Sequence, residues 1–101
     1  MAKTKTWIIG TSGGYADDVI TYRVIATKEQ AKKHIISLIK ADKKEDLSFD
    51  YGTTKEKELE ERDDGTIYGY AVFGDYHNDY TATPEMDPVY LSDKGKIKKS
   101  A

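Results

Sequence analysis

Apolar and β-branched positions fall in short runs separated by polar punctuation, and only one stretch carries a helical period. Thr6 to Ile9 and Val19 to Ala26 are rich in β-branched and aromatic residues and short enough to be strands. They read as an antiparallel pair joined by GTSGGYADD. In the second strand Ile20, Tyr22, Val24 and Ala26 share one side, and Val19, Thr21, Arg23 and Ile25 share the other. Apolar groups on both faces predict a central strand.

Thr27-Lys28-Glu29-Gln30 has the form of a capping box, in which the Thr27 hydroxyl accepts from the Gln30 backbone and the Gln30 side chain reaches back. A helix starts there. Ala31, Ile35, Leu38 and Ile39 repeat at the spacing of one buried stripe, while Lys33, Lys40 and Lys44 fall opposite. Asp42 occupies the next stripe position, so the buried part ends near Ala41.

Leu47, Phe49 and Tyr51 alternate as a short strand does, and Asp64-Gly65 marks a tight turn. The charged segment between them predicts an exposed edge strand near residues 55 to 61, with a short helix as the alternative. TIYGYAVFGDYHNDYTAT, residues 66 to 83, is the longest β-type stretch, and Val89 to Leu91 is a last short strand. The pattern predicts an α+β fold in the order β-β-α-β-β-β: a small antiparallel sheet with one amphipathic helix packed on one face. Residues 1 to 92 form its single domain, and residues 93 to 101 are a lysine-bearing tail too poor in apolar groups to be ordered.

The chain has 101 residues and no cysteine, which removes disulfides, thiolate metal sites and cysteine nucleophiles. A chain of this size has little room for the large scaffolds that carry most catalytic triads, so the expectation is a protein that is not an enzyme and holds no cofactor or metal. The apolar runs are too short to span a bilayer, and Met1 to Lys5 lead into no signal-peptide segment. A cytoplasmic protein without a membrane partner is the default.

Net charge is −2, unevenly spread. Residues 28 to 44 hold six lysines against Glu29 and Asp42, whereas residues 75 to 93 hold five acids and no Lys or Arg. Lysine outnumbers arginine fourteen to two, which disfavours double-stranded nucleic acid because bidentate phosphate and guanine contacts favour arginine.

Two stretches suggest chemistry. Gly10-Thr11-Ser12-Gly13-Gly14 spells a nucleophile elbow, but that device needs a helix after the serine, and a strand follows here. A hairpin connection is the plainer reading. The second stretch is DYHNDY, residues 75 to 80, where Asp75, His77 and Asp79 fall on one side of an extended chain. A histidine between carboxylates suits a divalent metal, and a small metal-dependent hydrolase centred on His77 is the minor alternative. A polar strand end is the plain one.

Tyr68, Tyr70, Tyr76 and Tyr80 occupy even positions, so an uninterrupted strand lines them along one face. Tyrosines among Asp, Asn and Thr suit a protein partner, each ring offering rigid contact area and a polar tip. The principal expectation is therefore a small regulatory or binding protein that engages another protein through this acidic surface. Its size and lysine bias suit an inhibitor of a host system carried by a virus or mobile element. The alternative is a binder of a nucleotide-like ligand or single-stranded nucleic acid, gripped between the GTSGGY loop, with Tyr15, and the tyrosine face. The nearby acids repel a phosphate chain and favour the protein reading.

Overall fold

The computed structural model of the protein describes residues 3–13, 19–85, 90–91 and 93–98. It is an α+β fold built on one antiparallel sheet. The strands are β1 (Lys5–Ser12), β2 (Val19–Ala26), β3 (Phe49–Gly52), β4 (Glu60–Glu61), β5 (Ile67–Phe73) and β6 (Tyr76–Pro84), with the helix α1 (Lys28–Glu45) between β2 and β3. The spatial order is β2-β1-β6-β5-β3, and β4 pairs with β5 beside β3. Tyr90–Leu91 and Ile97–Lys98, in β7 and β8, pair antiparallel in a separate two-stranded ribbon.

The helix begins as its sequence dictates. Thr27 Oγ1 accepts from Gln30 N at 3.1 Å, and Gln30 Oε1 accepts from Thr27 N at 2.9 Å. Its buried residues are Ala31, Ile35, Ile36 and Ile39, with Leu38 on the flank of the stripe. They lie over Trp7, Ile9, Ile67, Ala71, Phe73, Tyr80 and Ala82 to form the core. Trp7 satisfies its one polar atom inside this core by donating Nε1–H to Ala26 O at 3.0 Å.

Three expectations are corrected. The second strand is an edge, not a central strand: β1 takes the middle position between β2 and β6, and Val19 and Ile25 stand in solvent. Only one of its faces meets the helix layer, through Tyr22, Val24 and Ala26, so the apolar side chains on the other face are left open. Gly10 to Ser12 belong to β1, so the connection to β2 is shorter than GTSGGYADD. Lastly, the long β-type stretch is not one strand. It folds back at Gly74-Asp75, where Gly74 has φ +60°.

The charged segment 55 to 61 resolves into both of the forms predicted for it. A 3-10 turn, Glu56–Glu58, precedes the two residues of β4. Glu61, on β4, holds Lys28 and Lys32 of α1 at 3.0 and 2.8 Å, so two of the helix lysines are already paired. Among the described residues, no helix is long and apolar enough to cross a membrane.

Candidate functional site

The turn at Gly74-Asp75 decides which side chains meet. Phe73 pairs with Tyr76, so odd residues of β5 share a face with even residues of β6. Ile67, Gly69, Ala71 and Phe73 thus face the helix together with Tyr80 and Ala82. Tyr68 and Tyr70 face the opposite side together with His77 and Asp79. The tyrosine row predicted for an uninterrupted strand is therefore split.

Tyr80 lies on the core side, 1 % exposed, with its hydroxyl donating to Asp42 Oδ2 at 2.5 Å. The ring is part of the core. Tyr76 is on the same side at the hairpin end and is 37 % exposed, and Asp75 sits in the turn. Neither belongs to the cluster on the open face. Tyr15 lies outside the described residues.

The open face carries a connected group. Asp79 Oδ1 accepts from the Tyr68 hydroxyl at 2.5 Å and contacts His77 Nε2 at 2.9 Å. An ionised carboxylate only accepts, so His77 Nε2–H is the donor and one oxygen holds both rings. Burial first, then the bond to Asp79 and the charge of Asp79, push the Tyr68 phenol up to about 12.

Tyr70 stands between the other two rings. Its plane lies within 17° of Tyr68, with centroids 6.4 Å apart, and within 4° of His77 at 5.6 Å. By register Tyr68 is two residues to one side, and His77, opposite Val72, is two residues to the other. Both ring faces of Tyr70 are therefore flanked. Tyr51 of β3 meets Tyr70 edge-on at 6.2 Å, and the Arg62 guanidinium lies 4.7 Å from the Tyr68 centroid.

Sequence reasoning brings Tyr68, Tyr70, His77 and Asp79 to this site and misses Tyr51 and Arg62. The alternation of Leu47, Phe49 and Tyr51 marks a strand, but no local signal says that β3 pairs with β5. The arrangement presents phenolic edges and hydroxyls on a braced row. Among the described residues, no three or more His, Cys, Asp or Glu side chains converge on a metal-sized space. No protein-family model matches the chain, and no curated protein or solved structure matches it.

Proposed function

We propose that this protein is a small binding protein that engages another protein through the open face of its sheet, with Tyr51, Tyr68 and Tyr70 as the contact rings. The observation that carries the reading is the braced row Tyr68, Tyr70, His77 on the face opposite the helix. Rings already held in place lose little side-chain entropy on binding, the property that makes tyrosine effective at protein contacts. The flanked faces of Tyr70 favour this reading over nucleic acid, because base stacking needs an open ring face. The charges fit as well. Asp79 keeps its negative charge while accepting from its two donors, and Glu85 is paired with Arg23 at 3.5 Å, so the face retains an acidic centre that suits a basic partner. The lysine bias extends the proposal to an accessory inhibitor carried by a virus or mobile element.

Affinity purification of the tagged chain from its native host tests this. Proteins retained by wild type and by Lys40→Ala, but lost with Tyr70→Ala and Tyr51→Ala, are the expected result. A nucleotide or oligonucleotide in the eluate, lost with the same two variants, would replace the protein reading.

A further inference from the structure

We infer that the outer edge of β2 is a self-association surface through which two copies of this chain pair antiparallel and join their sheets into one. This rests on a different part of the molecule from the tyrosine face and stands without it. The backbone pattern comes first. Glu85 N donates to Thr6 O at 2.9 Å, and Trp7 lies opposite Pro84, so Thr6 and the other even residues of β1 turn their N–H and C=O groups toward β6. Pro84, which has no N–H to give, thereby sits at a position of the β1–β6 ladder that needs none. The odd residues of β1 bond to β2.

Their partners on β2 are Ile20, Tyr22, Val24 and Ala26. The backbone groups of Val19, Thr21, Arg23 and Ile25 therefore point outward. Among the described residues, no strand pairs with that side. Strand edges of this kind are ordinarily blunted by proline, bulges, brevity or charge. This one runs eight residues in unbroken register with β1, without proline or glycine. Its one charge, Arg23, is taken up by Glu85. Val19, Ile20 and Ile25 are 70, 57 and 78 % exposed.

The edge is complementary to itself. Placing Tyr22 opposite Tyr22 of a second copy across a two-fold axis pairs Val19 with Ile25, Thr21 with Arg23, and Ile20 with Val24. All four outward residues of each strand then find hydrogen-bonding partners. The two most exposed apolar side chains of the strand, Val19 and Ile25, cover each other at both ends. Sliding the register by one pair one way sets Arg23 directly against Arg23, and sliding it the other way moves Ile25 past the Val19 end of the second copy's β2. The pattern selects one occupant in one register, a second copy of the same chain.

Sedimentation equilibrium and cross-linking of the full chain test both parts. Mass should rise from one chain of 11.4 kDa toward two as concentration is raised to about 1 mM. Ile25→Lys, at an exposed position, should keep the wild-type melting curve while weakening association at least tenfold. Because the chain lacks cysteine, the register is read directly by mixing Ile20→Cys chains with Val24→Cys chains under mild oxidation. Residues opposite each other at a non-hydrogen-bonded position lie about 4.5 Å apart at Cα, within disulfide reach. The mixture should give covalent dimers at least tenfold faster than either variant alone. A wild type that stays monomeric throughout, or cross-linking as fast with Ile20→Cys alone, would overturn the inference.

Discussion

Tyr80 reaches across thirty-eight residues to donate its hydroxyl to Asp42, fastening the last turns of α1 to the centre of the sheet. Tyr80 is buried in the core and Asp42 is half-buried at its rim, and Asn78 Nδ2 approaches the same hydroxyl at 3.5 Å. Tyr80→Phe should cost about 1 to 3 kcal/mol by leaving the carboxylate without its donor. Tyr80→Ala should cost about 3 to 5 kcal/mol, because it also empties a buried ring volume. Urea melts of the two variants check the order. A Tyr80→Ala protein as stable as wild type would return this ring to the binding surface.

Burial of the α1 stripe gives a second ordering. Ile35→Ala and Ile39→Ala remove fully buried volume and should each cost about 2 to 5 kcal/mol. Leu38→Ala, on the flank, should cost less, and exposed Lys40→Ala should stay within about 0.5 kcal/mol. Denaturant midpoints of the four variants decide it.

Gly69 is required by close approach. A Cβ there would meet Ile39 Cδ1 and Leu59 Cδ2 at 3.1 Å and Ile35 Cγ2 at 3.3 Å. Gly69→Ala should therefore destabilise by about 1 to 3 kcal/mol through overpacking. Ile39→Val removes the Cδ1 atom in the way, so the double variant should be more stable than the two single losses predict, by about 0.5 kcal/mol or more. Strict additivity would mean the contact relaxes elsewhere.

The Tyr68 phenol has its pKa raised in the fold from 10.0 to about 12. A raised value favours the protonated form, so its contribution to stability is complete below pH 10 and is lost as pH climbs toward 12. Burial raises the Tyr80 phenol in the same direction. Thermal melts should fall steeply above pH 10, and Tyr68→Phe should reduce that slope. Phenolate absorbance should show one fewer late-titrating ring in the variant.

Local signals make half of this architecture readable without coordinates. The Thr27–Gln30 box, the Ile35 and Ile39 stripe and the hairpin of β1 with β2 are all set within a few residues of themselves. The tyrosine surface is different, because its membership turns on parity. Gly74-Asp75 is a two-residue hairpin signal between two β-type runs, and reading it as a turn moves Tyr80 to the core and sets His77 beside Tyr70. That information is in the sequence, though masked by the continuous β character around it. Tyr51 is not recoverable in this way. Its place beside Tyr70 needs β3 to pair with β5 across some twenty residues and also the register shift between Phe49 and Tyr51, which sets Tyr51 opposite Val72 on the open face; no local pattern encodes either.

The central place of β1 also sets an order in time. β1 pairs on one side with β2, which follows almost at once, and on the other with β6, about seventy residues later. At translation rates of about 5 to 20 residues per second, the nascent chain carries Trp7 and Ile9 without their β6 neighbours for roughly 4 to 15 s. During that interval both edges of the β1–β2 hairpin are open, and α1 emerges with only that hairpin to lie against. The sheet closes only once β6 has been made, so a chain cut short before Tyr76 is a half-covered, strand-edged fragment and not a smaller domain.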